Sequence, residues 1–156
     1  MSIILWIDPW TTTTWFAILD KQGKNVEILS CWIIETKAKE SLDLKLFDIW
    51  KDIEFILKKY KPNICCIEKI FFLKNVKTWI DVAHARGVMI YLISKKWIPI
   101  KEYTPLQVKQ GICGNWKADK KQVQKALKCI LKLDSIPTPD DAADALAIAY
   151  LWSLEK

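Results

Sequence analysis

The sequence predicts an α/β protein with a five-stranded mixed sheet flanked by helices. Apolar runs at about 2–7, 14–20 and 26–34 are joined by short turns, which is typical of three antiparallel strands. Beyond residue 42, helical and strand patterns alternate, as they do when helices cover a sheet. The chain has 156 residues and no long linker, so we expect a single domain over residues 1–156.

The elements beyond residue 42 follow from hydrophobic spacing and from prolines. Leu42, Leu46, Ile49 and Ile53 recur at helical spacing, and Pro99 bounds a short strand. Pro137 and Pro139 prepare the start of the last helix. The predicted elements are a helix at 42–60, a strand at 63–68, a helix at 76–95, a strand at 98–103, and helices at about 105–112, 118–132 and 140–154.

Composition narrows the class of protein. Hydrophobic residues make up 51% of the chain and charged residues 27%, which indicates a globular protein. No apolar stretch reaches the ~18 residues of a membrane span, and the N-terminus lacks a signal-peptide pattern, so we expect a cytoplasmic protein without membrane contact. The five cysteines show neither a C-x-x-C pair nor zinc spacing, which predicts reduced, mostly buried thiols.

Four carboxylates stand out by position. Asp8 and Glu68 each end an apolar, strand-like run, and a carboxylate there is costly to bury unless a cation or strong donors receive it. Asp141 and Asp144 lie three residues apart near the start of the last helix, on one face. Three separated segments thus offer oxygen ligands, which predicts a site for a hard divalent cation such as Mg²⁺.

The net charge of +6 is unevenly distributed. Residues 95–132 carry +8, whereas residues 133–156 carry −4. A basic segment next to an acidic segment that could bind a metal is typical of a protein that binds a polyanion beside a cation. The alternative is a solvated lysine face, but the neighbouring carboxylates favour nucleic acid.

Tryptophan and glycine have unusual counts and positions. The chain has nine Trp and four Gly, whereas average usage predicts about 11 Gly. Trp10, Trp15, Trp97 and Trp116 stand in turn contexts where glycine supplies a positive φ or a close backbone approach. Trp6 lies inside the first strand, where a large side chain must displace neighbours or enter a cleft.

We interpret these tryptophans as glycine positions. Some bacterial lineages read the codon UGA as glycine, and translating UGA as Trp would produce this sequence. The alternative is a tryptophan-rich protein whose aromatics stack on bases, which leaves the turn positions unexplained. If the residues are Trp, the turn after Asp8 is damaged.

The chain resembles the RuvC Holliday-junction resolvases over essentially its full length. Trp6, Trp10, Trp15, Trp97 and Trp116 fall where that family typically has Gly. The matching stretches are Ile4–Trp10, Ile67–Glu68 with Phe71–Phe72 and Lys74–Asn75, Ala85–Gly87, Gln107–Gln110, Gly114–Lys120 and Asp141–Ala147.

The resemblance implies a ribonuclease H-like fold and a structure-specific endonuclease. The implied enzyme is a homodimer in which each subunit nicks one of two opposed strands of four-way junction DNA. Metal-dependent hydrolysis with two Mg²⁺ ions, or Mn²⁺, would use the family's four catalytic acids as ligands. These acids match Asp8, Glu68, Asp141 and Asp144, the carboxylates singled out above.

The resemblance also implies contacts with DNA. Lys109 and Lys120 match lysines near the scissile phosphate, although Lys120 could equally be a solvated helix lysine. Phe71 matches an aromatic used against bases at the junction, and core packing is its alternative. Further expected DNA contacts are Lys74, Arg86, Lys117 and Lys121, with Lys125 and Lys128 extending the basic track.

Other readings remain open from the sequence. The segment after Asp8, with Gly at position 10, also looks like the phosphate hairpin of actin-like ATPases, which need two such lobes. A non-catalytic junction-binding protein and a related nuclease on another branched or hybrid substrate are further alternatives. The sequence leaves open whether a branch-migration motor complex is a partner. An apolar stripe on helix 76–95 (Val82, Val88, Met89, Tyr91, Leu92) fits either a dimer interface or the core.

Overall fold

Strands and helices follow the predicted order along the chain. The computed structural model describes residues 2–23, 25–69, 76–136 and 140–154. The strands are β1 (Ser2–Asp8), β2 (Thr13–Gln22), β3 (Asn25–Glu35), β4 (Ile64–Glu68) and β5 (Ile100–Tyr103). The helices are α1 (Leu42–Tyr60), α2 (Val76–Lys95), α3 (Pro105–Cys113), α4 (Lys120–Leu131) and α5 (Asp140–Leu154).

The five strands form one mixed sheet in the order β3-β2-β1-β4-β5. The pairs β1–β2 and β2–β3 are antiparallel, whereas β1–β4 and β4–β5 are parallel. The predicted five-stranded mixed sheet is therefore confirmed. Because Ile7 pairs with Ile67 in the parallel β1–β4 register, Asp8 and Glu68 both lie at the carboxyl edge of the sheet.

Strand alternation sends side chains into two cores on opposite faces of the sheet. Leu5 and Ile7 pack on one face against α1 and α2, with Ile49 and Met89 among their neighbours. Ile4 and Trp6 point to the other face, which α3, α4 and α5 cover. Cys65 and Cys66 are buried in different cores as reduced thiols, as their adjacency in a strand predicts.

Most predicted boundaries hold, and the differences have local causes. Helices α1, α2 and α5 span the predicted residues. Strand β5 begins at Ile100, since Pro99 has no N–H to offer a ladder. Helix α4 begins at Lys120, because the Asp119 side chain accepts a hydrogen bond from the Gln122 backbone N–H and the Gln122 side chain accepts one from the Asp119 backbone N–H.

The turn context predicted for Trp15 is wrong. Trp15 lies inside β2, opposite Asp8 in the antiparallel ladder, and it packs partly buried against the core. Pro137 and Pro139, which were expected to precede the start of the last helix, lie outside the described residues.

The apolar stripe on α2 belongs mainly to the core. Val82, Met89 and Leu92 are buried against the sheet, whereas Tyr91 is exposed. Core packing therefore accounts for most of the stripe. Within the described part of the chain, every helix is too short or too polar to cross a membrane.

Candidate active site

Asp8 and Glu68 form the centre of the site at the ends of β1 and β4. Their side chains come within hydrogen-bonding reach of each other. Burial is the main cause that raises the pKa of Asp8 to about 6, against a lowering hydrogen bond from Trp10. Burial, and next the charge of Asp8, raise the pKa of Glu68 to about 7. This pair therefore retains a proton at pH values at which two exposed carboxyl groups would already be ionised.

Helix α5 brings two further acids to the same end of the sheet. Asp141 lies in its first turn, where the helix dipole favours negative charge, and Asp144 follows at the start of the second turn. Both of their charges contribute to the raised pKa values of Asp8 and Glu68, which puts the four carboxylates within electrostatic range of one another. Lys120 Nζ lies 3.9 Å from Asp144 Oδ2 and offsets part of this charge.

A cleft of about 260 Å³ opens beside these acids. Its polar wall consists of Glu68, Asp144, Lys109 and Lys120, so it presents both signs of charge. Its apolar wall comes from α3, α4 and α5 through Pro105, Val108, Val123 and Ile148. A larger groove of about 510 Å³ lies between α3 and α5 and is lined without any acidic or basic side chain. The mixed charge makes the smaller cleft the better candidate for phosphate chemistry.

That the four acids meet in one cleft within reach of shared metal ions stays a prediction. Within the described ranges, no three His, Cys, Asp or Glu side chains lie close enough together to enclose a metal ion. Asp8 is instead engaged by Glu68 and Trp10, and Asp144 by Lys120. The donor set still fits a hard divalent cation, since all four donors are carboxylates whose mutual repulsion a cation would relieve.

Trp10 is a site residue whose contact the sequence did not predict. Its indole Nε1–H donates to Asp8 Oδ2 at 3.2 Å, and its ring lies 5.7 Å from the ring of Trp79 between centroids. The turn is fixed by Thr14, whose hydroxyl donates to the Trp10 carbonyl at 2.6 Å. The only signal in the sequence is that Trp10 follows Asp8 by two residues.

The structure brings few of the other expected DNA contacts to the cleft. The Arg86 guanidinium forms an ion pair with Glu102, and its side chain is only 20% exposed. Lys117 lies over the ring of Trp116, at 5.0 Å from its centroid, and Lys121 is exposed on α4. Phe71 and Lys74 lie outside the described residues. The DNA contacts of these five residues stay predictions.

Comparisons with known proteins agree over nearly the whole chain. A family model described as crossover junction endodeoxyribonuclease RuvC matches residues 4–151. The RuvC of Petrotoga mobilis is 42% identical over 148 residues, which cover 95% of this chain and 91% of that protein. The RuvC of Halothermothrix orenii is 45% identical over 148 residues, covering 94% and 89%.

Solved structures show the same relationship. The structure of T. thermophilus RuvC in complex with a Holliday junction substrate matches with a TM-score of 0.84 and 26% identity, covering 97% of this chain and 92% of that one. A yeast mitochondrial Holliday junction resolvase shares the fold at a TM-score of 0.70 and 14% identity, covering 97% and 78%. Since family model, relatives and fold agree along almost the full length, the chain belongs to the RuvC family of crossover junction endodeoxyribonucleases.

Proposed function

We propose that this protein resolves Holliday junctions in recombination and DNA repair by paired nicks, as a homodimer with one site per subunit. The observation that carries the proposal is a cleft in which Glu68 and Asp144 lie beside Lys109 and Lys120, with Asp8 and Asp141 within electrostatic range of these acids. Family membership supports the same reaction, because relatives that match almost end to end are named for it.

Asp8, Glu68, Asp141 and Asp144 are the residues that would hold the metal, Mg²⁺ or Mn²⁺. Bound divalent cations, two in each site, would supply a lowered pKa for the attacking water and would neutralise charge on the leaving oxygen. The rigid ends of β1 and β4 hold Asp8 and Glu68 side by side, and the first two turns of α5 supply the other two ligands. Ligands on strands and helices keep their spacing better than ligands on loops.

Lys109 and Lys120 would neutralise the scissile phosphate. Both line the cleft beside Glu68 and Asp144, so a phosphate seated there would meet ammonium groups and carboxylates together. Cationic donors that are already in place stabilise charge as it develops in the transition state. Lys120 begins α4, directly after the Asp119 cap, so the helix fixes the position of its backbone.

The lysines between residues 95 and 132 would supply most of the DNA affinity. Phosphate contacts by lysine and arginine dominate protein–DNA affinity and fix the protein on the duplex, largely without regard to sequence. The four acids would thus serve cleavage, whereas most of the binding would come from the lysines. A branch-migration motor complex is a further partner that we propose for the junction-bound dimer.

The test is cleavage of a synthetic four-way junction, a linear duplex and an RNA–DNA hybrid, each with Mg²⁺ or with EDTA. We expect Mg²⁺-dependent, paired nicks in the four-way junction alone, and a dimer in solution by light scattering. Junction binding without any cleavage would favour a non-catalytic binding protein. Preferred cleavage of the hybrid would favour a related nuclease with another substrate.

A further inference from the structure

The residue at position 97 has the backbone of a glycine. Trp97 follows the end of α2, has a φ of 58° and is 94% exposed. Its N–H donates to the Ser94 carbonyl at 2.9 Å, which closes the turn that ends the helix. The left-handed region costs a residue with a Cβ free energy and suits glycine, which commonly ends helices there. The exposed indole gains little packing in return.

A positive φ alone does not identify a glycine position. Lys61 and Lys132 also take positive φ, and each caps the end of a helix. Their side chains are polar and suited to water, whereas an indole at 94% exposure is not. Two other tryptophans have side chains that are unfavourable for different reasons, and those reasons extend the inference beyond position 97.

Trp6 has a fault in the core. It is 1% exposed in β1, and its buried Nε1–H finds no hydrogen-bond partner among the described residues. Its neighbours across the two adjoining strands are the small residues Ala17 and Cys66. An unpartnered buried N–H is destabilising, and tryptophan usually enters a core only where its N–H is received.

The indole of Trp10 lies against a carboxylate of the proposed metal site, so its effect there rests on the proposed function. Its indole N–H donates to Asp8 Oδ2 at 3.2 Å. A cation at Asp8 would have to compete with this donor for the carboxylate. A residue without a side chain at position 10 leaves the oxygen open and keeps the turn.

We propose that the working protein carries glycine at positions 6, 10 and 97, where UGA codons are read as glycine. The strained turn at Trp97, the unpartnered N–H of Trp6 and the carboxylate occupied by Trp10 are three unrelated faults. Removing the indole side chain corrects all three. Trp116 belongs to the same set by its place in an exposed turn after Gly114.

The first test is the folding stability of Trp97→Gly against Trp97→Ala. Both variants lose the exposed indole, but only glycine relieves the left-handed backbone. We expect Trp97→Gly to raise the folding equilibrium constant above that of Trp97→Ala by roughly 5- to 30-fold, measured by urea unfolding. Equal stability of the two variants would overturn the assignment at position 97.

The second test is Mn²⁺ binding, measured by electron paramagnetic resonance without DNA, for Trp10→Gly and Trp10→Phe. Phenylalanine keeps a ring but lacks the N–H donor. We expect Trp10→Gly to bind Mn²⁺ about tenfold more tightly than the protein with Trp10, with Trp10→Phe in between, because a hydrogen bond to a carboxylate is lost. Weaker binding by both variants would overturn the blocking role and make Trp10 a residue that positions Asp8.

The third test separates this inference from the proposed function. The gene should carry UGA at the tryptophan positions, and the protein purified from its own cells should have the mass of the glycine form. UGG codons with the mass of the tryptophan form would overturn the inference. If Asp8→Asn binds Mn²⁺ as well as the parent does, the metal site of the proposed function fails, whereas the codon, mass and Trp97 results still decide the glycine assignment.

Discussion

Asp8 and Glu68 lie next to each other at the carboxyl ends of two parallel strands, and their carboxyl groups come within hydrogen-bonding reach. The backbone ladder that joins β1 to β4 therefore sets the distance between two carboxylates of the proposed site. Burial is the main cause that keeps both pKa values above those of exposed carboxyls, and the charge of Asp8 raises the pKa of Glu68 further. The pair is consequently sensitive to pH near neutrality, and that sensitivity can be measured.

Without divalent cations, stability should fall as pH rises from about 4 to about 7. Burial raises the pKa of Asp8 from 3.8 to about 6 and that of Glu68 from 4.5 to about 7, so the folded chain holds more protons than the unfolded chain across this range. Stability then decreases with pH in the same range. Urea unfolding in EDTA should show the decrease for the parent, and Asp8→Asn/Glu68→Gln should lessen it. The same slope in both proteins would contradict the prediction.

Asp8→Asn should abolish cleavage and spare junction binding. Asparagine keeps the shape and can still accept the Trp10 hydrogen bond, but it removes the charge that would hold a cation. We expect the cleavage rate to fall by roughly 10²–10³-fold or more, the scale for losing one charge-stabilising group. Gel-shift affinity for the four-way junction should change little. Loss of binding in this variant would show that the acid also holds the DNA.

Lys109→Ala and Lys120→Ala should each slow cleavage more than they weaken binding. Both side chains line the cleft with the acids, so their removal takes charge from the reacting phosphate. We expect single-turnover rates to fall by roughly 10²-fold, with junction affinity reduced far less. Lys51→Ala is the matched control, because Lys51 is exposed on α1, on the other side of the sheet. A rate loss as large in the control would remove the special role of the cleft lysines.

Junction affinity should weaken steeply with salt. Each lysine–phosphate contact releases condensed counterions, so the logarithm of the affinity falls with the logarithm of the salt concentration at a slope of about −0.9 per contact. Lys125→Ala and Lys128→Ala should each make that slope shallower by about one, if the basic track extends along α4. An affinity that is insensitive to salt would count against lysine-driven binding.

Gly111→Ala should be less stable than Gly87→Ala. Both glycines lie inside helices, where alanine is intrinsically better by up to about 1 kcal/mol. A Cβ at Gly87 meets no atom within 4 Å, whereas a Cβ at Gly111 falls 2.1 Å from Leu151 Cδ2. We expect Gly87→Ala to stabilise the protein and Gly111→Ala to cost about 1–3 kcal/mol through overpacking of α3 on α5. Thermal or urea unfolding of the two variants measures the difference.

The sequence predicted those features that depend on local pattern. Helical spacing defined α1 from Leu42 to Tyr60, and a carboxylate that ended an apolar run identified both Asp8 and Glu68. The family resemblance added Lys109 and Lys120, which both line the cleft.

Contacts that depend on packing could not be predicted. Arg86 meets Glu102 because α2 lies against β5, and nothing in the fifteen residues between them signals that pair. Trp15 has threonines before it, which resembled a turn, yet the antiparallel pairing with β1 extends the strand back to Thr13. The hydrogen bond from Trp10 to Asp8 depends on the rotamer of the indole side chain, which the spacing of residues in the sequence does not determine.

The docking of α5 has a consequence for the order in which the protein becomes able to cut DNA. Asp8 belongs to the first strand and Asp144 to the last described helix, and α5 reaches the site by packing across β1, β2 and β3. On a growing chain, the acids from β1 and β4 can pair before α5 has been synthesised, but they lack two of the four carboxylates. Partly made or partly folded molecules should therefore be inert toward DNA. The docking of α5 is therefore the folding step that completes the proposed active site.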